Sequence, residues 1–249
     1  MHAITALELL DVWEYGLSRS PAQRALELLA VAYPETPRSS WAALSIGQRD
    51  ASLLALREEL WGPRMAAAVV CPGCRERLEL VLDTREILKM APAPHQNRAS
   101  SLIPLSVAGY TMTFRIPTSL DVAEASDQAD NEEDFSELII ERCIVTAQQG
   151  EAPVEFHQLP TEVIAKVVDQ IAEADPLADI ELDLTCPSCK QGWSAVFDIV
   201  SFLWTEIEVW AWRILSDVHT LARAYRWPES EILNLTPLRR QFYLEMVGA

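Results

Sequence analysis

Apolar residues recur along most of this chain at the three- and four-residue spacing that places them on one face of a helix. Ser20-Pro21 is a typical helix start, because serine caps the helix and proline suits its first position. Gly62-Pro63 is a typical helix end. The pattern predicts helices over 5–17, 21–33, 46–61, 120–128, 134–148, 160–174 and 199–226. Two short helices are predicted after Trp227.

Shorter stretches alternate apolar and polar residues, as half-buried strands do. One pair of strands is predicted within 102–116, with a turn at Ala108-Gly109. Two further pairs belong to a repeated unit, which consists of an apolar strand, a Cys-Pro-x-Cys turn, a second strand, an aspartate and a helical pattern. Aligning the two copies places Cys71 on Cys186.

These elements predict an α+β fold that is mainly helical. Two zinc-knuckle β units, each with a Cys-Pro-x-Cys turn, are joined into one four-cysteine site, and a long Trp-rich helix follows near the C-terminus. The predicted regions are an N-terminal helical region (1–63), the first zinc-knuckle unit (64–90), a β-hairpin plus an acidic helical region (91–180), the second zinc-knuckle unit (181–198), and the long helix with C-terminal docking helices (199–249).

The two turns contain four cysteines, namely Cys71, Cys74, Cys186 and Cys189. A structural zinc ion requires four ligands in a tetrahedron, and two Cys-x-x-Cys turns provide four sulfurs with no position left for water or substrate. We therefore predict one closed zinc site that joins distant segments. The same ligands also suit iron, and ligand type alone does not distinguish the two metals.

Other interpretations of the cysteines stay open at this point. The turns could form two local disulfides, remain buried thiols, or act as a redox pair, although a strand-like sequence follows Cys74 where a redox pair normally has a helix. His95, in a proline-rich segment near the first turn, is an alternative ligand. Cys143 lies in an apolar segment and is predicted to be a buried thiol. The four ligands could also come from one chain or from two.

The formal net charge of −17 is concentrated in one section of the chain. Residues 121–183 contain 18 acidic residues, against Arg142 and Lys166 as the basic ones. Nucleic-acid binding is disfavoured, because it depends on basic groups that neutralise phosphates. The acidic section is interpreted as solvated helix faces, with docking to a basic partner as the alternative.

Targeting signals are not predicted. The first fifteen residues lack the basic start of a signal peptide and include three acidic residues. The most apolar stretch, 199–215, contains Glu206, Glu208 and Arg213, so no membrane span is predicted. Cysteines in metal-ligand spacing fit a reducing cytoplasm better than a disulfide framework.

The long predicted helix carries more tryptophan than one core face needs. It is interpreted either as a core helix packed on two sides or as an aromatic surface that binds a partner, since Trp and Tyr are favoured interface anchors. The candidate partner-binding residues are Trp204, Trp210, Trp212, Tyr225, Trp227, Arg239, Arg240 and Tyr243.

Catalytic motifs are missing from the sequence. It contains no Gly-x-x-x-x-Gly-Lys phosphate loop, no Gly-x-Gly-x-x-Gly and no Gly-x-Ser-x-Gly, and its four histidines are scattered. We therefore expect that the protein is not an enzyme.

Two sets of short motifs resemble known proteins. The first comprises residues 47–58, Trp61-Gly62-Pro63 and Cys71-Pro72-Gly73-Cys74. It is similar to the zinc-knuckle baseplate proteins of contractile-tailed phages and phage-like contractile injection systems. The second comprises Tyr225-x-Trp227, Glu231-Ile232-Leu233-x-Leu235, Arg239-Arg240 and Tyr243-Leu244. It resembles the endings of small tail-assembly proteins.

The resemblance implies a non-enzymatic baseplate component or assembly chaperone that acts in the bacterial cytoplasm and binds other baseplate or tail proteins. It also implies a structural zinc on the four cysteines named above. Two other functions stay open, namely a zinc-ribbon nucleic-acid-binding or regulatory protein and a thiol oxidoreductase. The particular partner, the oligomeric state and retention in the finished particle are not determined by the sequence.

Overall fold

The computed structural model describes residues 2–90 and 101–248. The helices in this part of the chain are α1 (Ala6–Gly16), α2 (Pro21–Ala32), α3 (Arg38–Ala42), α4 (Ile46–Trp61), α5 (Thr84–Leu88), α6 (Ser119–Gln128), α7 (Glu132–Cys143), α8 (Thr161–Ala174), α9 (Ile199–Tyr225), α10 (Glu229–Leu233) and α11 (Pro237–Gly248). The strands are β1 (Arg64–Val70), β2 (Arg77–Asp83), β3 (Ile103–Val107), β4 (Tyr110–Phe114), β5 (Ile144–Gln149), β6 (Ala152–Pro153), β7 (Ile180–Thr185) and β8 (Gly192–Phe197). The predicted α+β class, mainly helical and with a long C-terminal helix, is confirmed.

The chain divides into two compact units. The first comprises Met1–Glu35 and Val200–Ala249, and the second comprises Thr36–Ile199. Both cysteine turns therefore lie in the second unit, whereas all the predicted partner-binding residues lie in the first.

The helices α1 and α2 of the first unit begin directly after residues whose side chains cap a helix N-terminus. Thr5 accepts a hydrogen bond from the backbone N–H of Glu8, and Ser20 accepts one from Gln23, so both starts are capping boxes. Large buried side chains on α1, α2 and α9 form the apolar interior of the unit, including Leu9, Leu10, Leu28, Leu29, Leu203, Ile207, Ile214 and Leu221.

The long helix α9 spans 27 residues. Glu208 and Arg213 are exposed on it together with Val209 and Trp212, so its surface side carries both charged and apolar groups. None of the described helices, α9 included, is long and apolar enough to cross a membrane.

A four-stranded antiparallel sheet in the second unit has the order β3-β4-β5-β6. Ala108 and Gly109 connect β3 to β4 with φ angles of 52° and 82°, which is the left-handed backbone that a tight two-residue hairpin requires. The turn predicted at these two residues is confirmed. The sheet packs on α8 through a cluster of buried apolar side chains, namely Met112, Phe114, Leu159, Val163 and Val167.

The predicted helix over 134–148 is wrong in its last turn. α7 ends at Cys143, and the following residues form β5, in which Ile144 pairs with Phe114 of β4. The β-branched run of Ile144, Val145 and Thr146 favours a strand, and β4 offers an open edge to pair with it. Helical periodicity continued into this segment, but pairing with a distant strand determined its structure.

The helix α4 agrees with the predicted range of 46–61 at both ends. Ser45 and Gln48 form a capping box at its start, and Gly62 ends it with a φ of 84°. This helix matters for the cysteine site, because segments adjoining both cysteine hairpins are attached to it.

Candidate metal centre

Each Cys-x-x-Cys turn connects two strands of an isolated antiparallel hairpin. In the first hairpin Val70 pairs with Arg77, and in the second Thr185 pairs with Gly192, so each turn forms the tip of a two-stranded ribbon. The predicted order of strand, turn and strand is confirmed in both copies.

The backbone of the two tips is nearly identical. The N–H of Cys71 donates to the carbonyl of Glu76 over 2.9 Å, and the N–H of Cys186 donates to the carbonyl of Gln191 over the same distance. The residues directly after the second cysteines, Arg75 and Lys190, have φ angles of 65° and 63°. Two non-glycine residues in the left-handed region at matching positions show that both turns have the same geometry.

The four sulfur atoms lie within 4.8 Å of one another. The Sγ atoms of Cys71 and Cys189 are 3.6 Å apart, and those of Cys74 and Cys186 are also 3.6 Å apart. A tetrahedron with Zn–S bonds of about 2.3 Å has edges of about 3.8 Å, whereas a disulfide needs about 2.05 Å. The arrangement therefore matches a metal-binding cluster, and all five cysteines are free thiols.

The two turns approach closely at Gly73. A β-carbon at this position would meet the Gln191 side chain and would lie 3.6 Å from the sulfur of Cys189. A small residue here leaves room for the second turn. The cluster thus lies between two hairpin tips, with Cys71 and Cys186 buried and the other two cysteines exposed.

The thiols of Cys71 and Cys74 have different pKa values within the cluster. Hydrogen bonding from the backbone of Cys74 and Gly73 lowers the pKa of Cys71 to about 7, even though burial opposes the shift. For Cys74 the backbone of Glu76 lowers the pKa, but hydrogen bonding with Cys186, burial and the other thiols raise it to about 12. Four thiolates this close repel one another, and a divalent cation would remove that repulsion.

The first hairpin is fastened to the C-terminal end of α4. Thr84, which follows the hairpin, donates its hydroxyl to Glu58 over 2.9 Å and its N–H to the carbonyl of Pro63 over 2.9 Å. Arg85 also forms an ion pair with Glu58, 2.7 Å between Nη2 and Oε1. These contacts hold the base of the hairpin on the helix.

The segment before the second hairpin is fastened to the N-terminal end of the same helix. The N–H of Gly47 donates to Oδ2 of Asp175 over 2.8 Å, between residues 128 positions apart. Leu177, two residues on, is buried. Because α4 carries both attachments, it acts as a common base for the two cysteine hairpins.

A buried polar network extends along the same helix. Nε of Arg49 donates to Asp50 over 2.7 Å, and Nη1 donates to Ser119 over 3.2 Å. Burial raises the pKa of Asp50, although Arg49 lowers it in part. The sequence reasoning missed this network, and the one available signal was an Arg-Asp pair inside an otherwise core-facing helix.

The remaining cysteine takes no part in the site. Cys143 is buried, and burial raises its pKa to about 12. The prediction of a buried core thiol is confirmed. His95, the alternative ligand, lies outside the described residues.

The predicted partner-binding residues have different environments in the first unit. Trp204 is buried against Gly16 and lies under the guanidinium of Arg24, 4.4 Å from its ring centre. Arg240 is buried and forms an ion pair with Asp217 over 3.2 Å. Both side chains stabilise the unit, and their contacts with a partner stay a prediction.

The other candidates lie nearer the surface. Trp212 is 63% exposed and meets Trp13 edge-on, with ring centres 6.0 Å apart. Tyr225, Trp227 and Tyr243 form an aromatic cluster in which all three rings are half-buried, and Tyr225 stacks on Trp227 at 4.7 Å. Trp210 is half-buried and Arg239 is exposed, so this part of the unit offers accessible aromatic and basic groups.

The fold and the site define an α+β protein in which the tips of two hairpins bring four cysteines together in a cluster that could hold a metal ion. Residues 22–204 match the family described as T4 bacteriophage base plate protein, and the match covers more than half of the chain. The chain therefore belongs to this family. The matched range includes both cysteine turns and ends at Trp204, inside α9.

No curated protein and no solved structure matches the chain. The family match is therefore the finding that connects this chain to other proteins, and it supports a structural role in a phage baseplate.

Proposed function

We propose that this baseplate-family protein is a non-enzymatic structural or assembly component whose second unit is held together by a structural zinc ion. The observation that carries the proposal is the convergence of four cysteine sulfurs within 4.8 Å from two turns distant in the sequence. Membership of the baseplate family adds the biological setting, in which other tail proteins are the expected partners.

Zinc fits the ligand set better than other common metals. Four thiolates are the closed ligand set of structural zinc sites, and such a set leaves no coordination position for a substrate. Iron bound by the same thiolates is the alternative, which metal analysis distinguishes. When bound, zinc would supply folding free energy on the order of 10 kcal/mol in apparent terms.

Docking to other tail proteins is assigned to the first unit. Its exposed Trp212 and the aromatic cluster of Tyr225, Trp227 and Tyr243 are the type of side chains that anchor protein interfaces. Arg239 beside them is exposed and offers a charged rim. Trp204 and Arg240 would then support this surface from below.

Assembly is proposed to take place in the bacterial cytoplasm, where reduced thiols can take up zinc. Whether the protein acts as a chaperone that leaves, or as a subunit that stays in the particle, depends on the lifetime of its complex with other tail proteins.

Metal content per chain is the deciding measurement. We expect one zinc per chain by elemental analysis together with a native mass, with four thiols that resist alkylation until a chelator is added. The Cys143→Ser variant is the matched control and should retain the metal, because Cys143 lies outside the cluster.

Two results would overturn the proposal. Metal-free protein with a fast-reacting thiol at neutral pH would favour the oxidoreductase alternative. Salt-dependent DNA binding in a gel shift would favour the nucleic-acid alternative.

A further inference from the structure

The acidic section of the second unit contains a groove beside α7. Its volume is about 700 Å³. It is bounded by side chains of α6, α7, the 3₁₀ turn Phe156–Gln158 and the start of α8. The lining combines half-buried apolar side chains, which form the bottom of the groove, with carboxylates of α7 that are mostly exposed and form its rim.

The bottom of the groove is apolar and incompletely covered. Leu138, Ile140, Phe156 and Ile164 line it, and each of them is only half-buried. Within α7 the one fully buried residue is Cys143, although the helix also carries several large apolar side chains. Among residues 2–90 and 101–248, no element fully covers this half-buried apolar side of the helix.

The rim of the groove is acidic. Asp134, Glu137 and Glu141 follow one another at helical spacing along the same side of α7. Within residues 2–90 and 101–248, Glu137 and Glu141 have no ion-pair partner, and Arg142 on the same helix is already bound to Glu124 and Gln128. Asp134 already accepts a hydrogen bond from Asn131, so Glu137 and Glu141 are the rim carboxylates available to a basic partner.

We propose that this groove binds a basic amphipathic helix of a partner protein. The apolar bottom would receive a stripe of residues at positions i, i+3 and i+4, and the carboxylates would pair with lysine or arginine beside that stripe. The α7 residues that line the groove run from Asp134 to Glu141, which is about 12 Å of helix, so the groove fits about two helical turns. The concentration of acidic residues between 121 and 183 would attract such a helix from a distance.

This site goes beyond the proposed function, because it involves neither the cysteine cluster nor the aromatic residues of the first unit. A failed test here leaves both of those assignments unchanged.

The probe is a synthetic helical peptide of about sixteen residues with a leucine stripe and flanking lysines, which is titrated into the full-length protein at physiological salt. We expect saturable binding by calorimetry. Two further peptides test whether binding depends on the charge of the peptide or on its leucine stripe. In one, every lysine is replaced with glutamate. The other has the same composition as the probe, but its leucines are arranged so that they form no stripe. Both should bind at least about tenfold more weakly.

The matched protein variants carry the same change in net charge. Glu137→Gln with Glu141→Gln should weaken binding about tenfold, whereas Glu132→Gln with Glu133→Gln, at exposed positions outside the groove lining, should change it less than about twofold. Leu138→Ala should also weaken binding, and Val168→Ala on the exposed side of α8 is its control.

Several results would overturn the proposal. Equal losses in the two double variants, or equal binding of the stripe-less peptide, would show general electrostatic attraction only. A doubled native mass that the Leu138→Ala variant returns to monomer would make a second copy of this chain the occupant. No binding of the lysine peptide would also reject the site.

Discussion

The sulfur atoms of Cys71 and Cys189 lie 3.6 Å apart, although 118 positions separate the two residues in the chain. Cys74 and Cys186 are paired across the two hairpins in the same way. Each turn alone provides two ligands, so the site closes only when both hairpins meet. A metal bound there would link distant segments and would offset the chain entropy lost in bringing them together.

Replacing one ligand should therefore destabilise the second unit. In zinc-containing buffer, Cys74→Ser should lose more than about 4 kcal/mol of the free energy of unfolding, since three ligands leave the metal site incomplete. Chemical denaturation with and without a chelator measures this. The chelator should destabilise the unchanged protein and have little further effect on the variant.

The control for this experiment is Cys143→Ser, which alters a buried thiol away from the cluster. It should retain its sensitivity to the chelator. Equal chelator sensitivity in all three proteins would contradict a role for the cysteine cluster in stability.

The contact between Gly47 and Asp175 gives a second prediction. A β-carbon at Gly47 would meet the Asp175 carboxylate and would lie 3.0 Å from the backbone nitrogen of Ala178. Gly47→Ala should therefore cost roughly 1–3 kcal/mol of stability, despite the higher helix propensity of alanine. Thermal unfolding checks it.

Gly192→Ala is the comparison for this substitution. Among the described residues, a β-carbon at Gly192 would have one neighbour within 4 Å, the carbonyl oxygen of Leu184 at 3.9 Å. The substitution should therefore leave stability nearly unchanged. If the two variants unfold at the same temperature, the attachment at the start of α4 is weaker than the structure indicates.

The ion pair between Arg115 and Asp121 predicts a pH dependence. Burial alone would raise the pKa of Asp121, but hydrogen bonds from Arg115 and Thr118 dominate and lower it below its ordinary value of 3.8. A carboxylate with a lowered pKa adds stability above that ordinary value and loses this contribution as the pH falls through the lowered pKa. At neutral pH, Asp121→Asn should cost roughly 1–3 kcal/mol.

Denaturation measured at a series of pH values tests the direction of this pH dependence of stability. The difference between the unchanged protein and Asp121→Asn should shrink as the pH drops below about 4. Asp127→Asn, at an exposed position on the same helix, should cost less than about 0.5 kcal/mol throughout. A difference that grows on acidification would contradict the assignment.

The comparison of α4 with α7 shows what the sequence can and cannot predict here. The range of α4 was predicted because its apolar pattern and the Gly62-Pro63 stop are local signals, and the cysteine cluster was predicted because ligand type and spacing are also local. The end of α7 was missed because Ile144 pairs with Phe114, a residue thirty positions earlier that no local pattern reveals. The contact of Asp175 with Gly47 likewise depends on tertiary structure alone.

Trp204 and Trp212 should differ in their contributions to folding stability and to partner binding, although the sequence predicts both as partner-binding residues. Trp204 is buried against Gly16, so Trp204→Ala should cost about 3–5 kcal/mol of stability. Trp212 is 63% exposed, so Trp212→Ala should cost less than about 1 kcal/mol while weakening the complex with another tail protein. Unfolding and co-purification, measured on both variants, separate the two roles. An intact complex in a stably folded Trp212→Ala protein would remove this residue from the docking surface.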